Sequence, residues 1–127
     1  MIVVDASAAL AGLLNAGPAR AILAAEQVHA PHQVDSEVAS GLRRQVAGAV
    51  LDAAAAWQVL ATWQRLGVRR HPMVGLLARM WALREVLSAY DAGYVALAEA
   101  LGCSLLTADT RLARASGPRC PITLVPR

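Results

Sequence analysis

The sequence predicts an α/β fold in which a parallel sheet is covered by helices. Three observations predict it. Short apolar runs of strand length recur at residues 2–5, 28–31, 103–107 and 122–125. Longer stretches with apolar residues at helical spacing lie between them. Acidic residues either follow the apolar runs or open the helical ones. Strands separated by helices imply βαβ crossovers and a parallel sheet, because a parallel neighbour cannot be reached by a hairpin. Ligands in such sheets sit beyond the carboxyl ends of the strands.

Residues 2–5 (Ile2, Val3, Val4, Asp5) form a β-branched run that ends on an acid, as a strand buried on both faces does. Residues 6–15 carry Ala9, Leu10, Leu13 and Leu14 on one helical face, which stops near Asn15, Ala16 and Gly17. Pro18 starts a second short helix through Ala25, since proline is tolerated at the first helical position. Val28, His29, Ala30 and Pro31 form a weaker strand. Val34 opens a helix that runs through Val38, Leu42 and Val46, with Asp35, Ser36 and Glu37 in its first turn. Asp35 reads as the helix cap, a structural role. Residues 49–66 read as a further long helix with Val50, Ala54, Trp57, Leu60 and Ala61 on its stripe. Gly67 stops it, and residues 68–71 make a short edge strand. Residues 73–87 and 90–101 are helical, the second ended by Gly102 and carrying Asp91 in its first turn. After the strand at 103–107, Asp109 opens a short helix through Ala115, and residues 122–125 close the sheet.

At 127 residues the chain is long enough for one domain with one sizeable core. A hydrophobic content of 57% excludes a disordered chain. No apolar run reaches the roughly 20 residues that cross a bilayer. The N-terminus lacks the basic region of a signal peptide. The reading is a soluble, cytoplasmic protein. The formal charge is +3, and all twelve basic residues are arginine. Arginine forks phosphates and stacks on bases, so a nucleic-acid partner fits, although a GC-rich genome accounts for the same composition. Cys103 and Cys120 match no metal-ligand spacing and read as reduced, packed thiols. His29, His32 and His71 lie in unrelated settings and make no zinc pattern.

Four of the nine acidic residues, Asp5, Glu37, Asp91 and Asp109, stand at strand ends or in opening helical turns. Carboxylates that converge on one sheet edge make an all-oxygen pocket suited to Mg²⁺ or Mn²⁺. Ser7 and Thr107 are placed to hydrogen-bond those carboxylates or a metal-bound water. Arg43, Arg44 and Arg111 are candidates to grip a polyanion near the pocket, against a bland reading as a solvated face. Glu26, Asp52, Glu85 and Glu99 read as surface charges. Trp57, Leu60, Trp63, Leu76, Leu77, Met80 and Trp81 read as core or as a groove for a partner helix.

At these residues the chain resembles the PIN-domain ribonucleases, and most closely the VapC-type toxins of bacterial toxin–antitoxin pairs. Val3, Val4, Asp5, Ala6 and Ser7 resemble the first acidic motif. Pro31 through Arg44, with Glu37 and Val38, resembles the second. Tyr90, Asp91, Ala92, Gly93, Tyr94 and Val95 resemble the third, and Leu105 through Ala113, with Thr107 and Asp109, the fourth. The resemblance runs over nearly the whole chain. It implies a five-stranded parallel sheet between helices in a single PIN domain over residues 1–127. It also implies Mg²⁺- or Mn²⁺-dependent cleavage of structured RNA such as tRNA or rRNA, homodimerisation, and inhibition by a cognate antitoxin in a heterotetramer or larger complex. The alternatives are a PIN-like module that binds RNA or protein without catalysis, and a non-toxin RNA-processing nuclease. A receiver domain is excluded by the lack of lysine, a dinucleotide binder by the lack of G-x-G-x-x-G after the first strand, and D-x-D phosphatase chemistry by Ala6 and Ser7.

Overall fold

Val3 and Val4 have no exposed surface, so β1 (Ile2–Val4) must lie in the middle of a sheet covered on both faces. The computed structural model, which describes all 127 residues, places it there. The other strands are β2 (Val28–Pro31), β3 (Arg69–His71), β4 (Ser104–Thr107) and β5 (Ile122–Leu124). All neighbours pair in parallel, in the order β3-β2-β1-β4-β5. The helices are α1 (Ala6–Leu14), α2 (Pro18–Ala25), α3 (Val34–Ala47), α4 (Ala53–Arg65), α5 (Leu77–Ala82), α6 (Ala89–Leu101) and α7 (Thr110–Ala113). A five-stranded parallel sheet flanked by helices is the architecture expected. The chain moves outward from β1 through β2 to β3, then returns to the other side of β1 as β4. The order of strands therefore reverses between β1 and β4, which opens a crevice beyond their carboxyl ends.

Small residues let the helices lie close to this sheet. Ala6, Ala8, Ala9 and Ala11 of α1 are buried, and α6 is buried without interruption from Ala92 to Ala98. Gly41 lets α3 approach α1, because a Cβ there would collide with the Leu10 side chain. Gly102 ends α6 in the left-handed conformation at φ 67°, as a glycine cap does. No single helix is long and apolar enough to cross a membrane.

Several local expectations change. Asp35 does not cap α3: the cap position is Gln33, and Asp35 lies inside the first turn. Its carboxylate accepts the Trp63 indole N–H at 2.8 Å and a two-pronged bond from Arg70 at 2.6 and 2.9 Å. The role is structural, as expected, but it ties α3 to α4 and β3. The helix expected from residue 49 begins at Ala53, where Asp52 is the cap and accepts Ala55 N–H at 2.7 Å. Its buried residues are Ala56 and Trp63, whereas Val50 and Trp57 are exposed. The stretch 73–87 is broken into a 3₁₀ turn (Val74–Leu76) and the short α5. Glu99 is no surface charge: Arg79 holds it at 2.7 and 3.1 Å. His29 and His71 are not unrelated, because adjacent strands bring their ring nitrogens to 2.8 Å.

The apolar residues expected to share a groove divide. Trp57, Leu60 and Trp63 border a depression between α3 and α4, with Trp63 almost wholly buried. Leu77 and Trp81 face solvent from α5, while Leu76 and Met80 pack on the core. Both cysteines are free thiols.

Ala49 follows α3 at φ 58°, a left-handed conformation that its Cβ disfavours. Ala49→Gly should therefore stabilise the protein by about 1 kcal/mol. Urea denaturation reads this as a raised midpoint at unchanged slope, and a lowered midpoint would show that the turn carries no strain.

Candidate active site

Asp5 follows β1 and is the cap of α1, so its backbone leaves the sheet while its side chain turns back over the strand end. Its Oδ1 accepts Ala8 N–H at 2.9 Å and the Ser7 hydroxyl at 2.7 Å. Its Oδ2 accepts the Thr107 hydroxyl from the end of β4. Thr107 Oγ1 in turn accepts Asp109 N–H at 3.0 Å, and Ser7 Oγ accepts Ala108 N–H at 2.9 Å. Asp5 N–H bonds Leu106 C=O at 3.1 Å. The ends of the two central strands are thus one hydrogen-bonded unit, with Asp5 only 5% exposed. Asp109 caps α7 and accepts Arg111 N–H through Oδ1 at 2.9 Å.

Two helices bring the other carboxylates. Glu37 is the fourth residue of α3, and its Oε1 accepts the buried Tyr94 hydroxyl of α6 at 3.0 Å. Asp91 lies in the first turn of α6, where Ser88 caps the helix by accepting Asp91 N–H at 3.2 Å. Asp5, Glu37, Asp91 and Asp109 all line one cleft of about 520 Å³ at the reversal point of the sheet. They form its wall and not a closed cage, since no three acidic side chains stand together at metal-ligating spacing.

The carboxylates feel their confinement. Burial pushes the Asp5 carboxyl above its ordinary range, against the opposing pull of its hydrogen bonds. Burial does the same to Glu37, where the Tyr94 bond opposes it. Burial and then the charge of Asp109 raise Asp91. Tyr94 is strongly raised by burial and by Glu37, so its hydroxyl stays a donor.

Among the candidate basic residues, Arg44 lines the cleft, while Arg43 and Arg111 do not. Helical geometry separates the first two. Arg44 is seven residues beyond Glu37 and Arg43 six, so only Arg44 returns to the Glu37 face. Ser40, three residues beyond Glu37, lines the cleft with them. Tyr94 and Arg127 also line it and had no assigned role in the sequence reading. The spacing of Tyr94, three residues from Asp91 on one helix, is the signal that points to it. Nothing local marks Arg127, which the fold brings over the end of β4, its Nε donating to Ala108 C=O at 3.4 Å.

Residues 2–118 match the PIN domain, so the chain belongs to the PIN-domain family. Within that family it is similar along its whole length to ribonuclease VapC9 of Mycobacterium tuberculosis, with 61% identity over 127 residues covering all of both chains. Solved structures agree on the fold. The structure of PAE2754 from Pyrobaculum aerophilum matches 95% of this chain and 81% of its own, with a TM-score of 0.73 at 25% identity. VapC20 of Mycobacterium tuberculosis, described as a Sarcin-Ricin loop cleaving toxin, matches 88% of this chain and 92% of its own, with a TM-score of 0.65 at 23% identity.

The raised carboxyls make a testable link to stability. Asp5, Glu37 and Asp91 bind protons more tightly in the folded protein than at their ordinary values of 3.8, 4.5 and 3.8. Their contribution is fully present below those values and is lost as pH rises through the raised ones. His29 works oppositely below its ordinary 6.5, because burial lowers its pKa. The readout is therefore the difference between Asp91→Asn and wild type in urea without divalent ions. That difference should favour the variant increasingly from about pH 4 upward; a constant or shrinking difference would contradict the burial and crowding assigned to Asp91.

Proposed function

We propose that this chain is a Mg²⁺- or Mn²⁺-dependent endoribonuclease acting as the toxin of a toxin–antitoxin pair. One observation carries the reading: four carboxylates from four separate elements line a single cleft at the switch point of the sheet. The full-length likeness to a named VapC ribonuclease supports it. Burial, and after it the crowding of like charges, raises the carboxyl pKa values, a cost that a divalent cation offsets, and an all-carboxylate donor set fits a hard cation. Asp5, Glu37, Asp91 and Asp109 would hold the ion. Bound there, it supplies activation of water and neutralisation of charge at a phosphodiester.

The chain's own residues do the rest. Ser7, Thr107 and Ala8 N–H aim the Asp5 carboxylate. Tyr94 holds Glu37 through Oε1, and Arg111 N–H holds Asp109 through Oδ1, so each has an oxygen to spare for a cation. No histidine lines the cleft, and none serves as a proton acceptor there. Arg44 and Arg127 are the cleft cations that meet the RNA backbone, with Arg43 and Arg111 flanking outside it. The resemblance to VapC toxins supports cytoplasmic action on structured RNA such as tRNA or rRNA. It supports a homodimer and a larger complex with a cognate antitoxin.

Asp91→Asn and Asp5→Asn should each lower RNA cleavage at saturating Mn²⁺ by at least about a hundredfold, the scale of losing one group that stabilises transition-state charge. Circular dichroism should be native. Wild-type rates in both variants would remove the site from consideration. Expressed alone, the wild type should arrest growth while Asp91→Asn does not. Harmless expression of soluble wild type would leave a nuclease that is not a toxin, and metal-loaded protein that binds RNA without cutting it would leave the non-catalytic module.

A further inference from the structure

The acidic cleft does not end at the acids. A second lobe of about 410 Å³ continues from it between α1, the end of α3 and the turn before α4. The lobes share Ser7, Leu10, Arg44 and Arg127. Their chemistry differs sharply. The first lobe carries all four carboxylates, and the second carries no acidic residue. Its floor is aliphatic, with Leu10, Leu14 and Leu51, and its edge carries the side-chain amides of Asn15 and Gln45.

We infer that this second lobe is a nucleoside subsite that seats the RNA base next to the cleaved bond and selects it. The inference rests on the ribonuclease reading and names the part of the substrate that the same cleft recognises. Charge decides where the neighbouring phosphate is held. A phosphate at the acidic lobe faces the wall of four carboxylates, so the adjacent phosphate is best held by cations away from that wall. Arg44 and Arg127 stand where the lobes join, and neither forms an ion pair with a carboxylate. They are free to take that phosphate. The attached nucleoside then falls into a lobe whose volume lies in the range of about 300–1,000 Å³ usual for small-ligand sites. A base there lies on aliphatic side chains, and two amides each offer a donor and an acceptor to its edge. Sequence-specific reading of RNA uses such splayed single-stranded bases. The lobe is fixed by packing: Gly41 lets α3 close on Leu10, which sets the floor.

The test uses short RNAs randomised at the positions flanking one cleavage site, incubated with Mn²⁺ and sequenced. In parallel, fluorescence anisotropy measures binding of the same RNAs to Asp91→Asn. Wild type should prefer particular bases on one side of the cut. Asn15→Ala with Gln45→Ala should reduce a roughly tenfold preference there to about twofold, the discrimination one well-placed amide pair provides. Arg44→Ala and Arg127→Ala should each weaken RNA binding for all sequences and lower the salt slope by nearly one. An unchanged preference and slope would overturn the subsite while leaving the ribonuclease intact. Loss of affinity for an antitoxin in the Asn15 and Gln45 variants, with RNA preference unchanged, would also overturn it and give the lobe to a protein segment. If wild type cuts no RNA at all, the fault lies with the ribonuclease reading.

Discussion

A buried carboxylate at the end of the central strand organises this molecule. Asp5 accepts hydrogen bonds from its own helix, from Ser7 and from Thr107 on the neighbouring strand. An unpaired buried carboxylate is expensive, and each donor here removes part of that cost. The same bonds clamp the β1–α1 turn to the β4–α7 turn. Ser7 and Thr107 also take the free N–H groups of Ala108 and Asp109. Asp109 is thereby fixed relative to Asp5 by two hydroxyls and the backbone ladder between the strands, with no long side chain involved.

The helices on the sheet obey a second constraint, which is thickness. Four carboxylates from different elements meet only if α1, α3 and α6 lie close to one another. Small residues accordingly stand on their buried faces beside larger ones: Ala8 and Ala9 on α1, Gly41 on α3, Ala92 and Gly93 on α6. The heavy alanine content, which composition alone attributes to a GC-rich genome, has this structural use. Larger side chains at those positions would spread the helices and separate Glu37 and Asp91 from the strand ends.

The sheet, the helix sequence and the four acids were legible because each leaves a local mark. The strand runs are short and bounded, four of the helices are capped by Asp or Ser, and the four acids sit at or just after helix starts. What was not legible depends on distant partners. Asp35 looks like a cap in sequence, and only the arrival of Trp63 and Arg70 makes it a tie between α3, α4 and β3. Glu99 looks solvated until Arg79 closes on it. Arg127 carries no signal of its own. Tyr94 and Arg44 were half-visible, since helical spacing puts them on the faces of Asp91 and Glu37, but the spacing does not say which face looks into the cleft.

The hydrogen-bonded unit at the strand ends divides the acidic wall unequally. Asp5 and Asp109 are stitched to the two central strands and move only if the sheet moves. Glu37 and Asp91 ride on the first turns of α3 and α6, which are joined to each other by the Tyr94 hydroxyl on Glu37 and by the Gln33 amide on Tyr90 C=O. Amide exchange at Ala8, Ala108 and Asp109 will therefore follow global unfolding, whereas the opening turns of α3 and α6, tied to each other and not to the strand ends, will exchange together. One half of the wall thus belongs to the sheet, and the other half to a pair of helices that answer first to each other.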